Sequence, residues 1–154
     1  MTSASAQQLS LKRVEPSIQH CLVDEEVLFS CQSEDKHFTL CQDKKSIHFR
    51  EESVTQFSTS LEETRGNSTA FSGGGAAWMT LRNGDLGTIA YTAIGKWSHQ
   101  GDAVERSGIL IQDSNSTLHH YKCSELFRSE IGPVWFEKSS IKESIENSEL
   151  DVVF

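Results

Sequence analysis

From Glu26 onward, apolar and polar positions alternate in short runs separated by turn residues. A period of two is what a strand with one buried and one wet face requires. EVLFSCQ, HFTLCQD and SIHFREE are three such runs, rich in Val, Phe, Ile and Thr, the residues that suit a pleated, half-buried surface. In the third, Ile47 and Phe49 alternate with His48 and Arg50. Residues 51–70 are dominated by Ser, Thr and Glu and carry one irregular edge strand around VTQF. The strongest signal is AAWMTLRNGDLGTIAYTAI, two apolar arms flanking Asn83-Gly84. That dipeptide predicts a type I′ hairpin turn with φ > 0 at both central residues. Trp78, Thr80 and Arg82 then share one face of the first arm, and Ala77, Met79 and Leu81 the other. In the second arm, over Thr88–Ala93, Ile89, Tyr91 and Ala93 oppose Ala90 and Thr92.

A long polar loop, GKWSHQGDAVERSG, follows. GILIQ and TLHHYKC form another hairpin about a turn at Asp113–Ser116. Beyond Cys123 the pattern changes. SSIKESIENSEL contains helix formers, a capping serine at Ser139 or Ser140, and Ile141 and Ile145 four apart on one face. About six to eight short antiparallel strands with regular turns read as a mainly β protein, a β-sandwich or small barrel, with a short C-terminal helix. Residues 1–20 are polar and irregular, so a flexible N-terminal segment precedes one β-rich domain over 21–154.

Composition adjusts this picture in two ways. The chain of 154 residues has 22 acidic and 14 basic side chains, a net charge of −8. Phosphate backbones and anionic lipid surfaces need a basic footprint, so nucleic acid and membrane surfaces are excluded as partners. A basic protein partner would be steered by this charge. No stretch approaches the ~18 apolar residues of a membrane span. No signal peptide is visible in the first twenty residues, yet Ala4-Ser5-Ala6 fits the small-residue pattern that precedes signal cleavage. A mature exported protein, periplasmic, with a start Met attached is one reading, and an ordinary tail is the other.

The four cysteines favour export. Cys21, Cys31, Cys41 and Cys123 contain no CxxC pair, so zinc binding is disfavoured. Two disulfides of an oxidising compartment fit better than four reduced thiols of a cytosolic protein. Of the three connectivities that four cysteines allow, Cys31–Cys41 across the first hairpin is preferred, leaving Cys21–Cys123.

Candidate chemistry is sparse. Ser72-Gly73-Gly74-Gly75 lacks the Lys-Ser/Thr and the following helix of a phosphate loop, and it is not the GxSxG of a serine nucleophile. His119 and His120 are adjacent and point to opposite faces of a strand, so they make no metal site. The carboxylates Asp43, Glu51 and Glu52 read as solvated charges, and no nucleophile–base pair or cofactor signature stands out. The protein is expected not to be an enzyme and to carry neither cofactor nor metal.

Two explanations of the glycine run remain. It is a bulge or sheet corner too crowded for side chains, or a protruding loop whose bare backbone fits a partner's cleft. Trp78 is a core anchor under the first and a rim contact under the second. Trp97, a large aromatic in a polar loop, and its loop neighbours Asp102 and Glu105 complete the candidate binding surface.

The order of FSC, LC, FR, SGGGAAWMTLRNGD, TIAYTAIG, SGILIQ and a final cysteine, over residues 27–123, resembles a group of small exported bacterial β-proteins. It departs at Glu51-Glu52, where that group has glycine, and in the last thirty residues. The group is similar in size, export and cysteines to periplasmic lysozyme inhibitors and to immunity proteins of type VI secretion systems. The resemblance implies a non-enzymatic inhibitor or immunity protein that occludes the cleft of a cell-wall-degrading hydrolase or secreted toxin. Its inserting loop would be Ser72-Gly73-Gly74-Gly75, with Trp97, Asp102 and Glu105 on the rim. The rivals are a sugar- or lipid-binding β-barrel module, which a polar-lined pocket inside the sheet would favour, and an uncharacterised hydrolase.

Overall fold

The structure is a computed structural model and describes residues 20–71, 73–95 and 104–143. The described chain is two sheets facing each other. Strands β1 (Glu26–Ser33), β2 (Lys36–Gln42), β3 (Ser46–Glu51) and β4 (Val54–Ser60) form an antiparallel meander. A 3-10 turn at Leu61–Glu63, capped by the Ser60 hydroxyl, carries the chain to the second sheet. There β5 (Arg65–Phe71), β6 (Gly74–Asn83), β7 (Leu86–Gly95), β8 (Val104–Gln112) and β9 (Leu118–Lys122) continue antiparallel. The chain then crosses back, and β10 (Glu125–Ser129) pairs with β1. After the helix α1 (Pro133–Lys138), the two-residue β11 (Lys142–Glu143) lies parallel to β5. The sheet orders are β10-β1-β2-β3-β4 and β11-β5-β6-β7-β8-β9. This is the expected mainly β, sandwich-like fold with a short helix near the C-terminus.

Between the sheets, Leu28, Phe29, Phe38, Leu40, Ile47, Phe49 and Phe57 meet Ala77, Met79, Leu81, Ala90 and Ile109. Phe38 stacks on Phe49 at a centroid spacing of 6.0 Å and Phe57 meets Phe49 at a tilt at 5.6 Å, and burial of such rings dominates core energetics. The expected alternation in the long hairpin holds. Met79 and Leu81 face this core, whereas Trp78, Ile89, Tyr91 and Leu110 form a second buried cluster on the opposite face. Trp78 is thus an anchor of that second cluster.

Several expectations need correction. The turn between β6 and β7 is centred on Gly84-Asp85, since Asn83 pairs with Leu86. Only Gly84 has positive φ, at 62°, so the pattern is that of a type II′ turn. The helix starts at Pro133, not at Ser139. Pro133 presets φ at the first helical position, and the end is a Schellman motif with Ser140 left-handed at φ 56°. Ser140 N–H donates to the Glu137 carbonyl and Ile141 N–H to that of Phe136. The helix expected from Ser139 onward is replaced there by β11, and its remainder lies outside the described residues, as do residues 1–19. The His20 carbonyl accepts from Arg50 at 3.1 Å.

The disulfides pair Cys21 with Cys41 and Cys31 with Cys123, and no described cysteine is free. The expected Cys31–Cys41 and Cys21–Cys123 pairing is incorrect for a geometric reason. The first hairpin turns tightly at Glu34-Asp35, so Ser33 pairs with Lys36 and Cys31 with Phe38. Cys41 then lies three residues further on, opposite Val27 and on the other face of the sheet. Cys31 faces the core and reaches the crossover at Cys123, whereas Cys41 faces outward and holds Cys21.

Candidate functional site

The glycine run is part of the sheet. Phe71 pairs with Gly74, and Gly73, immediately before β6, stands at φ 84°. Gly74 and Gly75 belong to β6; Gly75 pairs with Ala70 of β5 and Ile94 of β7, and Gly74 pairs with Phe71 of β5. A Cβ on Gly74 would lie 1.8 Å from the Ile94 carbonyl oxygen, and one on Gly75 2.9 Å from that of Thr69. Both neighbours are backbone and cannot rotate away. Crowding, together with a positive φ at Gly73, accounts for the three glycines, and Gly74-Gly75 is not a protruding loop.

The same strand end forms the floor of a cleft of about 710 Å³. Strands β6 and β7 have ten residues each, against six to eight in β1–β4. The inner face of β6 reads Gly75, Ala77, Met79, Leu81: large side chains lie in the core and small ones in the cleft. Register aligns the floor in two rows. Ser68, Ala77, Thr92 and Ser107 pair successively across β5–β8, and the row ends at Cys123, whose N–H donates to the Ser107 carbonyl. Ala70, Gly75, Ile94 and Glu105 form the second row. Leu126 of β10 and Ile131–Pro133 before the helix supply the opposing wall. Ile94 and Leu126 are 42% and 37% exposed, an unusual exposure for large aliphatic side chains flanking a cavity.

Of the residues expected to bind a partner, Gly75 and Glu105 come together in that second row, and Gly74 is adjacent to it. Gly73 is exposed in the turn. Ser72, Trp97 and Asp102 lie outside the described residues. Ser68, Thr92 and Ser107 were not anticipated. Isolated hydroxyls in Ser/Thr-rich stretches give no signal until register puts them in one row. Chemically, the cleft lining offers the hydroxyl residues Ser68, Thr69, Thr92, Ser107 and Ser124, aliphatic walls, the Glu105 carboxylate and Arg106.

A second constellation lies on the outer face of the other sheet. Residues 20–25 cross this face, fixed by the Cys21–Cys41 bridge. Arg50 holds both oxygens of the buried Glu25 carboxylate, at 2.5 and 3.1 Å. Burial opposes ionisation of Glu25, but the Arg50 guanidinium and the Leu22 N–H outweigh it and hold the carboxyl below its usual value. His37 bonds the Ser30 hydroxyl at 2.7 Å, and its ring meets that of His20 edge-on at 4.9 Å. Burial lowers the pKa of both imidazoles. Beside them, His48 Nδ1 lies 2.6 Å from the Ser58 hydroxyl and Nε2 2.8 Å from Asp43 Oδ2. Ser58, His48 and Asp43 are thus hydrogen-bonded in line, an arrangement the sequence did not disclose because the three lie on different strands or turns. Neither the 710 Å³ cleft nor a 580 Å³ cavity beside the helix is lined by Ser58 or His48. Glu25, Asp43 and His48 also lie within reach of a common cation. The oxygens are already engaged, by Arg50 on Glu25 and by the Lys45 and Ser46 N–H groups on Asp43. No described helix is long and apolar enough to cross a membrane. Comparisons with protein-family models, with curated proteins and with solved structures return no match for this chain.

Proposed function

We propose that this is a non-enzymatic, exported binding protein whose ligand occupies the cleft between the sheets. The observation that carries this reading is the row Ser68–Ala77–Thr92–Ser107, an inner sheet face with small and hydroxylated side chains where the core would otherwise place large ones. A cleft of about 710 Å³ is in the range of small-molecule sites. The lining suits a compact ligand with an aliphatic body, several hydrogen-bonding groups and a polar end beside Glu105 and Arg106. Two disulfides support an oxidising compartment, and the periplasm is the compartment the sequence resemblance favours.

The inhibitor or immunity reading is retained in altered form. The exposure of Ile94 and Leu126 at the mouth favours a protruding segment of a cell-wall hydrolase or toxin as occupant of the same cleft. Recognition then runs opposite to loop insertion, with the partner supplying the protrusion.

Thr92→Phe is the test, because its side chain points into the cleft rather than the packed core. The variant should melt within a few degrees of the parent while the occupant is lost. Native mass spectrometry after incubation with a small-molecule extract detects a bound ligand. A pull-down from periplasmic extract, followed by a peptidoglycan-turbidity assay, detects a hydrolase partner. Any specific binding that survives Thr92→Phe places recognition elsewhere and refutes both versions.

A further inference from the structure

The chain contains two Asn-Ser-Thr tripeptides, Asn67-Ser68-Thr69 and Asn115-Ser116-Thr117. Asn-x-Ser/Thr is the acceptor signature of N-glycosylation in exported proteins. The fold treats the two differently. Asn67 is in β5, paired with Trp78. Its side-chain amide donates to Glu143 Oε1 at 3.3 Å, and its Oδ1 accepts from the Ser68 N–H at 2.8 Å. Arg65, a cation, stands two residues before it.

Asn115 is exposed at the tip of the loop joining β8 and β9. Asp113 organises this loop. Its Oδ1 accepts from the N–H groups of Asn115 and Thr117 at 2.9 and 3.0 Å, and its carbonyl accepts from Ser116 N–H. Ser116 is left-handed at φ 64°. These bonds use the backbone of Asn115, and its side-chain amide makes no hydrogen bond with any described residue. Asp113 also places a carboxylate two residues before the acceptor, the feature that bacterial N-glycosylation adds to the tripeptide.

We propose that Asn115 is an N-glycosylation site, used on the folded protein by a bacterial-type oligosaccharyltransferase. The donor is an oligosaccharide linked to a polyprenyl diphosphate. Asn115 Nδ2 forms a bond to the anomeric carbon of the donor as that carbon's bond to the diphosphate oxygen breaks. Polyprenyl diphosphate leaves with the electron pair, and the amide proton passes to a carboxylate of the transferase. No oxidant or metal redox step is involved. Access decides between the tripeptides: an exposed turn can enter a transferase groove, whereas a residue in the middle of a ladder cannot without unzipping β5 from β6.

The test uses the folded, disulfide-intact protein with a purified bacterial oligosaccharyltransferase and its lipid-linked donor, followed by intact mass spectrometry. The expected result is a gain of one oligosaccharide, retained in Asn67→Gln and abolished in Asn115→Gln. Asp113→Asn keeps an acceptor oxygen for the loop N–H groups and removes the charge. It should slow transfer by about tenfold or more, the scale of one lost charge-assisted contact. An unchanged mass, addition at Asn67, or transfer to Asp113→Asn at the parent rate overturns the proposal. None of these outcomes bears on the cleft.

Discussion

Gly74→Ala places a single methyl where the sheet has no room, and its cost can be worked from the geometry. The new Cβ would lie 1.8 Å from the Ile94 carbonyl oxygen and 2.6 Å from its carbon. Ordinary contact needs more than 3 Å, so β6 and β7 must separate by over an ångström at this point. Overpacking of this kind costs about 1–3 kcal/mol, and each ladder hydrogen bond weakened adds about 1 kcal/mol. The expected destabilisation is about 2–4 kcal/mol, moderated because Gly95 ends β7 close by. For a chain of this size that is a fall in Tm of about 6–15 °C. Gly84→Ala is the control. A Cβ there meets nothing within 4 Å, but φ is +62°, so the cost is about 1–2 kcal/mol from backbone conformation alone. Thermal melts by circular dichroism measure both. A Gly74→Ala protein that melts within a degree of the parent would show that β6 and β7 do not lie as described, and would restore a free glycine loop.

Removing the long bridge with Cys31→Ala/Cys123→Ala should destabilise more than removing Cys21–Cys41, because the loops closed span 92 and 20 residues. Loop-closure entropy gives upper values of about 4.6 and 3.3 kcal/mol, and urea unfolding of the two variants checks the order. Arg50→Met leaves Glu25 buried without its bidentate partner and should cost about 3–5 kcal/mol, part of it recovered in Arg50→Met/Glu25→Gln. Stability should also fall with acid. His20 and His37 have native pKa values below 6.5, lowered first by burial, so the unfolded state binds protons that the native state resists. Their contribution is complete above 6.5 and is lost as pH falls from 6.5 through the native values. A Tm that stays flat between about pH 7.5 and 5.5 would contradict the buried imidazoles.

Legibility in the sequence followed how local each signal is. The strands β1, β2, β3, β6 and β7 announce themselves because apolar side chains recur at period two between turn residues, and the face assignment of Met79 and Leu81 against Trp78 follows directly. Strand β5, RGNSTAF, has few apolar side chains, since its inner face supplies Gly66, Ser68 and Ala70 to the helix contact and the cleft rather than to the core. A strand that packs against little has no hydrophobic pattern to read. Strand β10 pairs with β1 across about two thirds of the chain length, Phe29 opposite Ser129, and nothing local encodes that partnership. The disulfide partners were misassigned for the complementary reason. A hairpin was evident, but which cysteine faced inward depended on a turn one pair of residues wide. The cleft was invisible for the same cause as β5: its hydroxyls become a feature only when four strands are in register.

The glycine run, readable as a sheet corner or as a protruding recognition loop, lies in the sheet at Gly74-Gly75, and the proposed cleft draws on the same strand end. On the ladder side, Gly74 is bare because the Ile94 carbonyl occupies the space of a side chain. On the inner side, Gly75 and Ala77 are small where Met79 and Leu81, further along the same strand, fill the core. Small residues that let three strands pack tightly at one end also leave that end hollow, provided the facing sheet stops short. The Cys31–Cys123 bridge lies at the back of this hollow and ties β1 to the crossover. It fixes the spacing between β1 and the crossover at this end. Recognition by a concavity of this kind needs rigidity behind the floor more than mobility in front of it. Under the proposed reading, Gly74 and Gly75 act by holding a strand end narrow and stiff, and the ligand must bring the bulk that this end lacks.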